Sequence, residues 1–539
     1  MCTTPTPSKY AHTKINITEH DAEHKRWNRR SFIQALGLAG SGSMMLAGSA
    51  LSASKASPLT AALAASQGER TLILIRLKGG NDGLNTIVPI SQYDAYARAR
   101  PKIRIPETSL VKLSDDHGIP SFMQPLEKMW GEGQMKVVLG AGYDTPNLSH
   151  FRSSDIWASG IVEEKERTGV LGRYFEDLLP EYLVNPPEIP PAIQIGSIGN
   201  LLFDGEENHY AFTVANPGQL SRIAQTGAAH DVVNVPDCTY GSQLKYMRGL
   251  TNTTYKYAEV INKAYVKSTN AVEYGDGRLS KQLSIIARMI KGQLGTKIYM
   301  VTLGGFDTHA NQIQKHEELM TEVTEAVTNF YADLAAEEMD RDVLSMTFSE
   351  FGRRVEENGS EGTDHGSSAP VLLFGGGLGD NGILGTQPDL NDLDRRGNLK
   401  TNIDFRSLYS SVLKGWLCVD PAAVDNALGT ESAEVEDLDL GLSCFGIGGS
   451  AQKGAAINHT AIYEDNTVYL DFALPFDSHV DIQLYNIIGQ SIATLVSENL
   501  CSGPHRIDIK NLANAQLASG YYVYRIFTNY QKVGKQIRI

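Results

Sequence analysis

Between about residue 70 and residue 428, short apolar runs alternate with longer amphipathic stretches. The runs at 71–77, 135–141, 192–195, 297–303, 343–348 and 371–374 predict buried strands, and the three-four apolar spacing of 280–291 and 312–337 predicts helices. Strands alternating with helices predict a largely parallel sheet covered on both faces. Loops that leave the carboxyl ends of such strands converge on one crevice. The stretch 186–237, richer in Pro, Gly and Asn, reads as an insertion that shapes the crevice mouth.

The pattern changes twice. At 429–456 the chain turns acidic and then glycine-rich, which predicts a solvated linker and a domain boundary. Beyond it, strict alternation at 468–474, 480–485, 491–495, 505–509 and 521–528 predicts a small all-β sandwich over 457–539. At the other end, Arg29, Arg30, Ser31 and Phe32 precede a weakly apolar, Gly- and Ala-rich stretch. Residues 1–66 therefore read as a twin-arginine export leader, with small residues between 47 and 65 offering cleavage points. The stretch is too short and glycine-rich for a permanent membrane span.

Composition narrows the function classes. With 42% hydrophobic and 20% charged residues the 539-residue chain has the make-up of an ordinary globular protein, and a formal charge of −14 with no large basic stripe argues against a nucleic-acid partner. Cys238, Cys418, Cys444 and Cys501 show no C-x-x-C spacing, so neither a thiolate zinc site nor a disulfide scaffold is indicated; a Cys418–Cys444 bridge stays open.

The candidate chemistry sits where strands end. GGFDTH (304–309) and GTDHG (362–366) each place an aspartate close to a histidine, and Asp82 follows the first apolar run in GGNDGLN. Carboxylate with imidazole suits zinc, manganese or iron better than calcium. Asp82 fits two roles, a metal ligand or a turn residue between Gly80 and Gly83. Asn81 could instead orient a substrate oxygen. Ser149 and His150 open a predicted helix: Ser149 could cap it, or stand where an oxyanion is stabilised at a helix amino terminus. Arg353 offers a planar fork for an oxyanion, with Glu350 orienting it or binding metal; a solvated ion pair is the other reading. His316, seven residues beyond His309, is a second-choice ligand.

Four stretches in one order, LILIRLKGGNDGLNTIVP (72–89), NLSHFRSSDIWASG (147–160), GGFDTHANQIQKH (304–316) and FSEFGRRVEENGSEGTDHG (348–366), resemble the domain of unknown function 1501 family of the alkaline-phosphatase and sulfatase-like superfamily. The resemblance implies a three-layer α/β/α sandwich of alkaline-phosphatase-like type over 70–428. It implies Asp82, Asp307, His309, Asp364 and His365 as ligands of one or two divalent ions, zinc or manganese. Ser149 becomes the nucleophile, His150 a ligand or a hydrogen-bond donor to the substrate, and Arg353 the holder of its oxyanion. Asp307 and His309 are spaced more closely than their superfamily counterparts, and no histidine lies between His365 and His459 to match a late metal ligand. The implied activity is hydrolysis of a phosphate or sulfate ester on a small molecule or polymer. The alternative is a non-catalytic surface binding protein that keeps the fold.

The terminal stretches LYNIIGQSIATL (484–495), GPHRIDI (503–509) and LASGYYVYRIFTNYQKVGKQIRI (517–539) resemble the type A sorting domain of the type IX secretion system. That resemblance implies the type IX machinery as a partner, and a route through the periplasm to the cell surface or medium.

Overall fold

The computed structural model describes residues 70–429, 435–442 and 457–538, apart from short stretches inside these ranges. The predicted leader, most of the predicted linker, Cys238 and Cys444 lie outside the described residues. Two compact units emerge, one built on 70–413 with Asp420–Leu440, the other on Gly441–Ile539 with Lys414–Val419.

The strands of the first unit are, in chain order, β1 (Thr71–Lys78), a small antiparallel trio β2 (Val88–Pro89), β3 (Leu110–Lys112) and β4 (His117–Pro120), then β5 (Met135–Gly142), β6 (Ala192–Ile195), β7 (Ala211–Val214), β8 (Ile298–Gly304), β9 (Val343–Phe348), the hairpin pair β10 (Gly352–Arg353) and β11 (His365–Gly366), β12 (Ala369–Phe374), β13 (Gly382–Leu384) and β14 (Ile403–Asp404). Nine of them form one sheet in the order β13-β5-β12-β9-β1-β8-β6-β7, with β14 also paired to β5.

Burial explains the apolar runs. β5 and β9 are buried at every position, so both faces of the sheet are covered. Two groups of helices do this. Arg278–Lys291 packs with Gln312–Ala335 and Thr239–Lys267. Separately, Trp157 of the helix His150–Ser159 lies against Phe405 and Tyr409 of the helix Phe405–Gly415. The α/β/α sandwich expected from the alternation is present.

The sheet is largely parallel, as expected, with one exception: β12 runs antiparallel to both β5 and β9. The cause is the connection, since β9 reaches β12 through a loop holding the β10–β11 hairpin and not through a crossover helix. The stretch 186–237 is not wholly an insertion, because it supplies β6 and β7 at one edge of the sheet. Antiparallel β12 has a consequence for the site. Its amino end lies beside the carboxyl ends of β1, β5, β8 and β9, so the loops 79–82, 143–150, 305–311 and 349–368 share one end of the sheet.

The second unit holds β15 (Asn458–Glu464), β16 (Thr467–Leu474), β17 (Ser478–Asn486), β18 (Ser491–Leu500), β19 (Gly503–Asp508), β20 (Tyr521–Thr528) and β21 (Lys532–Arg538). They form antiparallel sheets β15-β16-β19 and β18-β17-β20-β21. β16 alternates strictly, sending Val468, Leu470, Phe472 and Leu474 into the core. The pattern reading misses β15 and β21, both edge strands, whose polar sequences NHTAIYE and KVGKQIR carry little alternation. Among the described residues, no helix is long and apolar enough to cross a membrane.

Candidate metal centre

The site is built by close backbone passage. Gly79 has φ +128°, and a Cβ there would lie 2.4 Å from the Asp307 backbone nitrogen, so glycine alone lets the end of β1 press against the turn after β8. Ser349, just past β9, accepts from Asn81 N–H at 3.0 Å and donates to Leu77 O at 2.7 Å. Three strand ends are thereby held in fixed register.

On this frame three imidazoles face one carboxylate. His365 Nδ1 lies 2.8 Å from Leu148 O, an oxygen that only accepts, so Nδ1 carries the hydrogen and Nε2 presents a lone pair. His309 Nδ1 lies 3.3 Å from the Asp364 carboxylate, with the same result. His150 Nδ1 lies 3.0 Å from Glu350 Oε1, which already accepts from Gly79 N–H at 2.9 Å. Each ring therefore donates outward and turns Nε2 inward. Metal-ligating histidines are oriented in this way.

The inward atoms are crowded. His309 Nε2 and His365 Nε2 are 3.0 Å apart, and each is 3.1 Å from Asp307 Oδ1. His150 Nε2 is 3.3 Å from Asp307 Oδ2 and, though buried, has no hydrogen-bond partner. A divalent cation between them would satisfy these lone pairs and the carboxylate oxygen together. Donors that share one ion at about 2.0–2.2 Å must stand roughly 3.0–3.5 Å apart, as His309–His365, His309–Asp307, His365–Asp307 and His150–Asp307 do. His150, His309, His365 and Asp307 thus fit a single divalent ion, and their nitrogen-rich set suits zinc.

Electrostatics keep Asp307 and His365 unprotonated. Burial pushes the Asp307 carboxyl up, but the Arg353 guanidinium, hydrogen-bonded to it at 2.8 Å, outweighs burial and holds the group well below the usual range. Burial lowers His365, leaving its lone pair free at neutral pH. Asp364 is also lowered: burial opposes this, and bonds from Asn358 and His309 prevail. Phe351 backs the cluster, its ring centroid 4.4 Å from His365 and 4.9 Å from His150. The ligand side chains remain partly open to solvent, Asp307 by 48% and His309 by 45%, so a substrate could reach them.

The structure thus brings together Asp307, His309 and His365, and with them His150, which the sequence left as either a ligand or a donor to the substrate. Asp364 stands behind His309, on its Nδ1 side. Asp82 lies outside the cluster. It is buried, and its oxygens accept from Leu84 N–H, Arg100 at 2.7 Å and Gln312. Arg353 is also fully committed, donating to Gly79 O, Gly80 O, Phe306 O, Thr363 O and Asp307, so it braces the ligand loops and has no fork left for an oxyanion. Ser149 is the exposed N-cap of the helix His150–Ser159, and its side chain makes no cap hydrogen bond. Glu350 orients His150 and not Arg353. Its place directly after an apolar strand was the only signal for it.

His316 faces away from the cluster into a buried polar network, 3.2 Å from Asn81 Oδ1. Burial lowers it to about 4, below the unfolded value of 6.5. Between those limits the unfolded chain binds a proton that the folded chain refuses, so stability falls as pH drops from 6.5 towards 4, by about 3 kcal/mol. Denaturant unfolding at pH 7 and pH 4.5 should show a pH slope smaller by up to one proton in His316→Asn than in the native chain. Equal slopes would refute the assignment.

With the geometry described, the relatives can be set beside it. A family model described as "Protein of unknown function (DUF1501)" matches residues 214–419. That range includes Asp307, His309, Asp364 and His365, and leaves Asp82, Ser149 and His150 outside it. No curated protein matches this chain in sequence. Similar solved structures include the alkaline phosphatase from the Antarctic bacterium TAB5, at 9% identity and TM-score 0.24, covering 58% of this chain and 94% of that one. The PsFucS1 sulfatase from Pseudoalteromonas sp. is similar at 9% identity and TM-score 0.30, covering 86% and 88%. A protein in the alkaline phosphatase superfamily from Vibrio parahaemolyticus is similar at 11% identity and TM-score 0.26, covering 76% of each chain.

Proposed function

We propose that this chain is an exported, metal-dependent hydrolase of phosphate or sulfate esters. The observation that carries the reading is the inward turn of three Nε2 atoms onto Asp307, each ring fixed by an acceptor on its other nitrogen. His150, His309, His365 and Asp307 would hold one ion, zinc before manganese. Such an ion would polarise an ester's oxygen and offset charge that builds there. The chain's own residues do the rest. Ser149, adjacent to His150 and with its hydroxyl unbound by the helix, supplies the attacking oxygen. Glu350 and Asp364 keep His150 and His309 aimed, and Arg353 keeps Asp307 ionised. The direct test is hydrolysis of aryl phosphate and aryl sulfate by the zinc-loaded full chain, with the variants argued in the Discussion.

Export enters the proposal through two addresses in the sequence, the leader at 1–66 and the sorting-type sandwich at 457–539. Deleting 457–539 is expected to leave the first unit folded and retained in the periplasm, because the sandwich has a core of its own. Cell fractionation and limited proteolysis read the result. An unfolded truncated chain, or one still delivered to the surface, would count against the sorting role.

A further inference from the structure

Two ligand-bearing loops meet behind the metal centre on a single side chain. Gln312, fully buried in the first turn of the helix Gln312–Ala335, accepts through Oε1 from Thr308 Oγ at 3.0 Å and from Thr363 Oγ at 2.5 Å. Thr308 stands between Asp307 and His309, and Thr363 directly precedes Asp364 and His365. The backbones of the two loops also touch, Thr363 N–H donating to Thr308 O at 3.2 Å. Through Nε2, Gln312 donates to Asp82 Oδ2. Asp82 is in turn held by Arg100 at 2.7 Å, both side chains at 0% exposure. Arg100 continues to Val355 O and Arg354 O, just past β10.

These contacts leave Gln312 no freedom to flip. Asp82 accepts, so the amide nitrogen must face it, and both threonine hydroxyls must then donate to the amide oxygen. Each loop is thus fixed within two residues of its ligands, and each to the same atom. Asp82, read from the sequence as a ligand, acts on the centre at one remove by fixing which way Gln312 points.

We propose that Gln312 is the positioning residue of the metal centre: by joining Thr308 to Thr363 it sets the separation of the Asp307–His309 loop from the His365 loop, and so sets metal affinity. The inference rests on the metal reading above. Outer partners that orient ligands are worth roughly 10- to 100-fold in metal affinity. Loss of Gln312 should fall in that range, because it frees both loops and touches no ligand.

The test is titration of the metal-free full chain with zinc(II) against a chromophoric chelator. Gln312→Met keeps the volume and removes the three hydrogen bonds; Thr308→Val and Thr363→Val each remove one hydroxyl at nearly constant shape. Gln312→Met is expected to bind zinc about 10- to 100-fold more weakly, and each valine variant to weaken it less. Tyr331→Phe is the control. It removes buried bonds to Ser345 and Phe374 O at the other end of β9 and β12, and should lower the melting temperature without changing zinc affinity. Folded Gln312→Met with native affinity would overturn the proposal, as would an equal loss in Tyr331→Phe. If Gln312→Met does not fold, the two valine variants decide by the same criteria. A native chain that binds no zinc overturns the metal reading and this inference together; a native chain that binds zinc beside variants that bind it equally overturns this inference alone.

Discussion

Asp307→Asn is expected to abolish zinc binding by the full chain, whereas Asp364→Asn should weaken it by only about 10- to 100-fold. Asp307 is the one carboxylate that all three Nε2 atoms face, and it would supply the charge that balances an ion held there. Asparagine keeps the shape and removes that charge. It also leaves the buried Arg353 without its carboxylate partner, so a lower melting temperature should accompany the loss. Asp364 touches His309 only on the Nδ1 side, so its loss loosens one ring and removes no donor. Elemental analysis of protein purified without chelator, with circular dichroism to confirm folding, reads both variants. If Asp364→Asn loses metal as completely as Asp307→Asn, then Asp364 is itself a ligand and the inward set has been drawn wrongly.

Ser149→Ala is expected to lower hydrolysis of aryl phosphate or sulfate by at least about 1,000-fold, since it removes the attacking oxygen. Zinc content and melting temperature should barely move. Ser149 is exposed and its hydroxyl does not cap the helix, so the substitution should cost less than about 0.5 kcal/mol. The contrast with Asp307→Asn, which loses metal and activity together, separates the nucleophile from the ligands. Native activity in Ser149→Ala would remove Ser149 from the mechanism. A zinc-loaded native chain that turns over neither ester would favour the binding-protein alternative.

The candidate site was legible in the sequence as far as residue types at strand ends. The buried runs before Asp82, Asp307 and Glu350 are local patterns, and an apolar run long enough to be covered on both faces is a strand wherever it pairs. The two Asp/His fragments could be read for the same reason, and Asp307, His309 and His365 do meet. Direction within the sheet was not legible, because β12 takes its antiparallel course from the hairpin in the loop before it, and that hairpin has no apolar period.

Roles divided along the same line. Sequence neighbours of one type took different parts, as Arg353 turned inward to brace five carbonyl and carboxylate oxygens while Arg354 stayed half exposed. Asp82 became a partner of Arg100 and Gln312, and His150 turned its Nε2 onto Asp307. A histidine becomes a ligand when an acceptor meets its Nδ1 and leaves Nε2 bare. For His365 that acceptor is 217 residues away in sequence, and for His150 it is 200 residues away. The sequence by itself determined which side chains able to bind metal stand at the ends of the strands, since short-range apolar pattern sets strand ends. Only the tertiary structure decided which of them face one another and which are tied up behind, since that depends on the distant acceptor each ring or carboxylate happens to meet.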